Sequence, residues 1–347
     1  VAMAIGQAAV VAAAARDDGR VRAVSDQEAE PAELSLPAIA AGPQGRWSDY
    51  LAGVIALLAE QGSAVTGVDL ALVSDVPVGS GVASSAAVEL AYALALTELF
   101  GPRMPREQLA LLCQRAENEY VGMRCGILDQ FSSCFGRAGR AMWLDCRSLQ
   151  RRLVPMADQH MRFVVCDTRK PRELVGSEYN RRRAECEQAA RALGVRALRD
   201  LDLPALQARA TGLDPTLLRR ARHVVSENER VQRGVQLLQA GDAVGVGEII
   251  NRTHESLRDD YEVSCPELEA MRAAALAAPG CYGARLVGAG FGGCVMALVD
   301  QAAVPEFIAL VQARYQAETG LKPRIFATSA ADGAGLVMGG QLSGDQA

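Results

Sequence analysis

The loop at residues 75–87 combines glycine and serine in a pattern that can bind phosphate groups. Two glycines, Gly79 and Gly81, follow an apolar strand, and Ser84 and Ser85 stand where a helix is expected to begin. Backbone N–H groups and the positive end of a helix dipole would converge there, which suits an anion. The loop is not a Walker A motif, because no Lys-Ser or Lys-Thr pair follows the glycines, and a serine takes the third glycine position of the dinucleotide-binding pattern. An ordinary tight turn between a strand and a helix is the alternative.

Two carboxylates downstream are candidates for a functional site. Glu117 lies in the sequence Ala-Glu-Asn-Glu-Tyr, and Asp129 follows twelve residues later in a mostly uncharged stretch. A carboxylate in such surroundings is costly to bury unless it is paired or used in the chemistry. The alternatives are that Asp129 caps the N-terminus of a helix and that Glu117 is a solvated charge on a helix face.

A second glycine-rich segment, residues 283–293, contains five glycines in eleven positions just before a predicted strand. This density permits a backbone to approach a ligand, or the first glycine loop, closely. Tight packing at the entrance of the strand is the alternative.

The composition excludes several classes of function. The 347 residues include 36 Lys and Arg against 41 Asp and Glu, a net charge of -5, which disfavours a protein that tracks the nucleic-acid backbone. Only three histidines are present, none of them in an H-x-x-x-H arrangement, so any metal must be held by oxygen ligands. Nine cysteines without C-x-x-C pairs predict reduced thiols in a cytoplasmic protein.

The apolar start of the chain could be mistaken for a signal peptide. It lacks a basic region and is too short to cross a bilayer, so it predicts a strand instead. We therefore expect neither a membrane partner nor a nucleic-acid partner.

The elements that must position these residues mix strands and helices without strict β-α-β alternation. Residues 1–15 and 20–25 predict two strands of a hairpin joined by a turn at Asp17, Asp18 and Gly19. Hydrophobic periodicity predicts further helices at 47–59, 84–100, 106–120, through most of 173–260, after Pro266 and at 304–315, and further strands at 67–73, 141–145, 162–167, up to 299 and at 324–327. The pattern favours an α+β protein of two lobes, divided at a turn between Asp167 and Arg172.

In combination, these motifs resemble those of the GHMP small-molecule kinases and, within them, the galactokinases. Residues 77–86, PVGSGVASSA, are similar to the family's P-x-G-x-G-L-S-S-S-A phosphate loop, and residues 288–293, GAGFGG, are similar to its C-terminal glycine motif. Further similar segments lie at 47–50, 125–131, 177–183 and 261–268. The resemblance extends from the first residue almost to the last.

The resemblance implies a two-lobed GHMP-kinase fold. Its N-terminal lobe, residues 1–167, would be ribosomal protein S5 domain 2-like, and its C-terminal lobe, residues 168–347, would be ferredoxin-like. It also implies a monomeric enzyme of galactose metabolism that uses ATP and Mg²⁺ to phosphorylate the anomeric hydroxyl of galactose. Phosphoryl transfer depends mainly on positioning and charge neutralisation, which hard oxygen ligands and backbone donors supply.

Carried over residue by residue, the resemblance implies a role for each matching position. Asp129 would act on the anomeric hydroxyl as base or orienting group, and Glu117 with Ser85, or Ser84, would hold Mg²⁺. Trp47 would stack on adenine. The positions expected to bind ATP are Trp47, Pro77, Gly79, Ser80, Gly81, Ser84 and Ser85, and those expected to bind the sugar are Gly126, Asp129 and Tyr179. The arginines at 181–183 are interpreted mainly as a solvated, ion-paired helix face.

One motif of the galactokinases is missing. The family carries G-R-x-N-x-I-G-E-H-x-D-Y just upstream of the strand that corresponds to residues 1–11, and this chain does not contain it. Its Arg would serve phosphoryl transfer, and its Glu, His and Asp would serve the sugar hydroxyls. We therefore expect the chain to be truncated at its N-terminus, prone to aggregation and, as it stands, to phosphorylate little or no galactose.

Two other functions are compatible with the same motifs. The first is another GHMP sugar kinase, acting on N-acetylgalactosamine, galacturonate or arabinose, although Ile127 in G-I-L-D-Q favours galactose. The second is a non-catalytic sensor of galactose and ATP, which the retention of Asp129 and Glu117 disfavours.

Overall fold

The computed structural model describes residues 1–156, 160–170, 175–338 and 341–343. The strands are β1 (Ala9–Ala15), β2 (Arg20–Ser25), β3 (Ala32–Ser35), β4 (Val68–Ser74), β5 (Arg140–Leu144), β6 (Arg151–Pro155), β7 (Met161–Asp167), β8 (Cys281–Leu286), β9 (Cys294–Asp300), β10 (Arg324–Thr328), β11 (Leu336–Met338) and β12 (Gln341–Ser343). The α-helices are α1 (Leu36–Ala41), α2 (Asp49–Glu60), α3 (Ser84–Phe100), α4 (Arg106–Arg115), α5 (Leu128–Phe135), α6 (Val175–Ala192), α7 (Leu203–Arg209), α8 (Pro215–Ala240), α9 (Ala243–Asp259), α10 (Pro266–Leu276) and α11 (Val304–Thr319). A π-helix (Ala116–Val121) continues α4, and short 3-10 helices span Leu198–Asp200 and Gln301–Ala303.

The chain forms two compact units. Unit 1 comprises the described residues of Val1–Val78, Ala83–Leu153 and Ala330–Ala347, and unit 2 comprises those of Gly79–Val82 and Val154–Ser329. The predicted division after Asp167 falls at the last residue of β7, within unit 2. As a domain boundary it stays a prediction, and Arg172, at the end of the predicted turn, lies outside the described residues.

The first sheet, in unit 1, has the strand order β1-β4-β2-β3. β4 is antiparallel to β1 and parallel to β2, so it lies between the two strands that the sequence predicts as a hairpin. That prediction is wrong. The N–H groups of Arg16 and Gly19 donate to the carbonyls of Gly67 and Thr66, at 2.9 and 2.8 Å, so the turn bonds to the segment that leads into β4.

The predicted strand at residues 1–15 is also too long, because β1 begins only at Ala9. The residues before it make isolated bridges instead, Ala2 with Met142 and Ile5 with Ala330. These bridges join positions far apart in the sequence, which a local pattern does not reveal.

The core of unit 1 lies between this sheet and helices α2 to α5. Inward residues of β4, such as Val68 and Leu70, belong to the same buried cluster as Leu51 and Leu58 of α2 and Leu90 of α3. The buried residues of β4 and the apolar residues of α3 pack into this core. This packing holds in position the helix that carries Ser84 and Ser85.

Unit 2 is built on the sheet β10-β7-β9-β8, in which every neighbouring pair is antiparallel. One core packs α10 and α11 on this sheet, with Val295, Ala297 and Val299 of β9 fully buried. A second cluster of buried aliphatic residues lies among α6, α7 and α8. None of the helices in the described ranges is long and apolar enough to cross a membrane.

Most predicted helices match the structure, and α3 matches at both ends. The predicted helix at 106–120 changes into the π-helix after Arg115. The sequence interpretation missed α1, α5, β3, β6, β8, β11 and β12, all of them short.

Candidate functional site

The first turn of α3 is open to an anion. The residue before the helix, Ala83, has the left-handed φ of 61°, and no side chain caps the helix. Ser84 and Ser85 are its first two residues, so their hydroxyls are not used as caps. The N–H groups of a first helical turn have no partner within the helix, and the helix dipole is positive there.

The loop that leads into α3 requires its glycines. Gly79 and Gly81 have φ values of 67° and 90°, which side-chain-bearing residues rarely adopt. Ser80 between them is buried, with 2% of its surface exposed, and Pro77 is buried as well. These φ values let the chain turn sharply between β4 and α3, with Ser80 packed inward.

Glu117 is buried beside this helix start. It is 3% exposed, and its carboxylate accepts hydrogen bonds from Ser85, from Gln130 Nε2 at 2.9 Å and from Cys125 Sγ at 3.3 Å. Burial raises the pKa of Glu117, and the charge of Asp129 raises it further, while these hydrogen bonds oppose the shift. The alternative that Glu117 is a solvated helix-face charge is wrong.

Glu117 and exposed Glu119 both lie on the π-helix, and they point to opposite sides of it. A π-helix has more residues per turn than an α-helix, which changes the direction of each side chain, and such segments are frequent at functional sites. Tyr120 on the same segment donates from its hydroxyl to the carbonyl of Ile39 at 2.9 Å and so fixes the segment against α1.

A second buried carboxyl, Glu89, lies one helical turn below Ser85. It is fully buried, and Gln130 Nε2 donates to its Oε2 at 3.4 Å, while its Oε1 has no hydrogen-bond partner. Burial first, and the charge of Glu117 second, hold the pKa of Glu89 well above its usual range. One amide group thus faces two carboxyl groups, and burial disfavours the charged form of each.

Asp129 is the second residue of α5, and the helix N-cap is Ile127. The alternative that Asp129 caps the helix is therefore wrong. Water reaches its side chain, yet the protein around it desolvates the carboxyl enough to raise its pKa. A raised pKa makes a carboxylate a better proton acceptor near neutral pH. Ser132 donates to the backbone carbonyl of Asp129 at 3.0 Å and so secures this helix turn.

Trp47 precedes α2 on a loop held by a buried carboxylate. Asp49 accepts N–H bonds from Gln44, Gly45 and Arg46, the closest being Gly45 at 2.7 Å. Trp47 itself is half-buried against the core of unit 1. Its predicted stacking on adenine stays a prediction.

In unit 2, the second glycine segment contacts the first. Gly288 has a φ of 75°, and a Cβ added to it would lie 2.6 Å from Cα of Gly81. The predicted close approach between the two glycine segments is therefore confirmed, and it requires glycine at 288. Phe291 also has a positive φ, 58°, and its N–H donates to the carbonyl of Val263 at 2.8 Å.

Two of the residues predicted to bind the sugar belong to different units. Gly126 is an exposed loop residue of unit 1 just before α5, and Tyr179 is a half-buried residue of α6 in unit 2. Their contacts with a sugar stay predictions.

Sequence reasoning missed several residues of the site, namely Asp49, Glu89, Cys125 and Gln130. One of them carries a usable signal, because Glu89 is a charged residue among the apolar residues in the first half of α3 and lies four residues after Ser85. Asp49 contacts only the loop just before it, and Cys125 and Gln130 become recognisable through their hydrogen bonds to Glu117.

The donor set limits which metal the site could hold. Within the described ranges, no three His, Cys, Asp or Glu side chains are grouped as metal ligands. Ser85 and Glu117 supply two oxygen donors, which suits a hard cation that completes its shell with water and phosphate oxygens.

Comparisons with known proteins agree with these features. The family models described as GHMP kinases N terminal domain and GHMP kinases C terminal match residues 49–137 and 235–317. The galactokinase of Roseiflexus sp. is 42% identical over 97% of this chain and 87% of its own length. That of Streptomyces coelicolor is 44% identical over 93% of this chain and 84% of its own length.

Solved structures show the same fold. The Lactococcus lactis galactokinase complexed with galactose matches with a TM-score of 0.90 and 34% identity, covering 95% of this chain and 87% of that one. A mevalonate kinase matches with a TM-score of 0.65 at 16% identity, covering 95% of this chain and 91% of its own, a likeness of fold alone. The predicted GHMP-kinase fold is thereby confirmed.

Proposed function

Because the chain belongs to the galactokinases of the GHMP kinase family, we propose that it transfers the γ-phosphoryl group of ATP to the anomeric hydroxyl of galactose. The observation that carries this proposal is the hydrogen-bonded pair of Ser85 and buried Glu117 at the uncapped start of α3. The uncapped start of α3 can bind phosphate groups, and the carboxyl of Asp129, whose pKa is raised, lies near Glu117.

The residues of this chain take complementary parts in the reaction. The backbone of residues 79–85 and the N-terminus of α3 bind the phosphates of ATP, and Trp47 stacks on the adenine. Ser85 and Glu117 hold Mg²⁺, which neutralises charge on the phosphate oxygens when it is bound. Gln130, whose amide also donates to Glu89, keeps the carboxylate of Glu117 in place.

Asp129 accepts or orients the proton of the anomeric hydroxyl. That oxygen then forms its bond to the γ-phosphorus as the bond to the β-phosphate oxygen breaks, and ADP leaves. A carboxylate with a raised pKa suits proton acceptance better than an ordinary aspartate does.

The proposal is tested with the purified protein, ATP and Mg²⁺ against a panel of galactose, N-acetylgalactosamine, galacturonate and arabinose. We measure ADP formation and identify the phosphorylated sugar by ³¹P NMR. Galactose 1-phosphate as the preferred product supports the proposal. Preference for another sugar favours a different sugar 1-kinase, and binding of both galactose and ATP without ADP formation favours a sensor. Binding of ATP without binding of galactose or ADP formation is the result that the missing N-terminal motif predicts.

A further inference from the structure

Arg182 differs from the arginines on either side of it. Its side chain is only 8% exposed, against 63% for Arg181 and 44% for Arg183. Arg181 and Arg183 pair with Glu185 and Glu187 on the helix surface, at 3.0 and 3.2 Å, as a solvated face predicts. Arg182 is also ion-paired, since its Nη1 lies 3.6 Å from carboxylate oxygens of Glu178 and Glu185, but the prediction of a solvated side chain is wrong for it.

The guanidinium of Arg182 holds two successive backbone carbonyls. Its Nε donates to the carbonyl of Tyr261 at 2.7 Å, and its Nη2 donates to that of Glu262 at 2.8 Å. Only arginine offers donors in such a fixed planar fork. The guanidinium carbon also lies 5.6 Å from the ring centre of Phe291, within range of a cation–π contact.

The turn held in this way supports the second glycine segment. Glu262 has a φ of 54°, an uncommon conformation for a residue with a side chain. The next carbonyl, of Val263, accepts the N–H of Phe291 at 2.8 Å. A Cβ added to Gly290 would collide with that same carbonyl, so the turn and the glycine segment are in close backbone contact.

The glycine segment in turn touches the phosphate loop. The backbone of Gly288 approaches that of Gly81 so closely that a side chain at 288 would not fit. All of these residues belong to unit 2. A continuous series of contacts therefore runs from Arg182 through the turn at 261–263 and the segment at 288–291 to Gly81.

We propose that Arg182 is a positioning residue that holds the segment at 288–291 against the phosphate loop, so that the loop is preorganised for nucleotide. The inference rests on the proposed function in treating residues 79–81 as phosphate-binding. Arg182 itself touches no substrate in this scheme. Its contribution is to reduce the conformational entropy that the loop loses when phosphate binds.

The experiment compares Arg182→Met and Arg182→Lys with Arg181→Met and Arg183→Met on the same helix. Hydrogen exchange reports the protection of amides at 286–293, and calorimetry reports the affinity for a non-hydrolysable ATP analogue with Mg²⁺. Because two charge-assisted hydrogen bonds are lost, we expect Arg182→Met to speed exchange in this segment and weaken nucleotide binding about tenfold. Arg182→Lys, which keeps the charge but not the fork, should fall between, and the two control variants should match the parent protein.

Unchanged exchange at 286–293 in both Arg182 variants overturns the inference. Uniform loss of protection across unit 2 also overturns it, because that result indicates a general structural role. If Arg182→Met does not fold, Arg182→Lys decides by the same two measurements. Absence of galactose phosphorylation in the parent protein would bear on the proposed function and on the effect of the missing N-terminal motif, and not on this inference, since the exchange comparison does not depend on turnover.

Discussion

Burial separates Glu117 from the acidic residue two positions further along the chain. Glu117 is 3% exposed and bonded to neutral partners, whereas exposed Glu119 forms an ion pair with Arg115 at 2.8 Å. An exposed pair of this kind adds little to stability. A buried carboxylate costs desolvation free energy, which a ligand-binding role explains.

Glu117→Gln keeps the shape of the side chain and removes its charge. Because the fold raises the pKa of Glu117, the folded state disfavours its charge, and the variant should be at least as stable as the parent at pH 7. Its Mg²⁺ requirement for turnover should rise at least about tenfold, as loss of a ligand lowers metal affinity. Activity is titrated with Mg²⁺ beside a thermal melt, with Glu119→Gln as control. A defect that no Mg²⁺ concentration relieves would assign Glu117 a purely structural part.

The variant Asp129→Asn tests whether Asp129 accepts or orients the proton of the sugar hydroxyl. A positioned acid or base contributes about 10²–10⁴-fold to turnover, so kcat should fall by that order. The affinity for an ATP analogue should change little, because the side chain at 129 is expected to act on the sugar hydroxyl. Turnover and calorimetric binding are measured on the same preparation, with Asp49→Asn as a comparison that alters the loop before α2 instead. Near-normal turnover in Asp129→Asn would remove this residue from the mechanism.

At the scale of elements, the backbones of the two glycine segments are in such close contact that neither leaves room for a side chain at Gly288. Gly288→Ala introduces a Cβ at 2.6 Å from Cα of Gly81, in addition to the cost of a positive φ. Gly212→Ala is a matched control, because its φ of 79° is similar and nothing lies within 4 Å of its added Cβ.

Both glycine variants should lose about 1–2 kcal/mol of unfolding free energy through backbone strain. Only Gly288→Ala should also weaken binding of an ATP analogue, because the displaced phosphate loop no longer meets the phosphates. Chemical denaturation and calorimetry measure the two effects separately. Equal nucleotide affinity in both variants would show that the contact between the segments does not matter for binding.

At the scale of the whole molecule, we expect protonation of His223 to reduce the unfolding free energy at acid pH. Burial lowers the pKa of His223 to about 4, where it stacks on Tyr261 and lies 2.9 Å from Ser256 Oγ. The unfolded chain takes up this proton near pH 6.5, and the folded chain does so only near its lower pKa. Unfolding free energy should therefore fall as pH drops through this window, by about 3 kcal/mol at most.

His223→Gln should flatten that dependence between pH 7.5 and 4.5, and His160→Gln, at an exposed position, is the control. Urea denaturation at several pH values measures the slope. The same slope in both variants would show that other groups govern acid unfolding.

The sequence by itself determined the features that depend on neighbouring residues. The bounds of α3, the glycine loop before it and the second glycine segment all follow from local composition and periodicity. Glu117 and Asp129 were recognisable as candidates because they stand in segments that resemble a known family. Chemistry encoded by residue type and short spacing is local, and it can be read without a structure.

Only the tertiary structure decided which residues are buried and which strands pair. β4 lies between β1 and β2, although β1 and β2 are adjacent in the chain and look like a hairpin. Arg182 is buried while Arg181 and Arg183 are exposed. Glu89 and Glu117 are both buried, and both accept a hydrogen bond from the amide group of Gln130. These outcomes depend on contacts between residues distant in sequence, whose free energy comes from desolvation and hydrogen bonds that no local pattern contains.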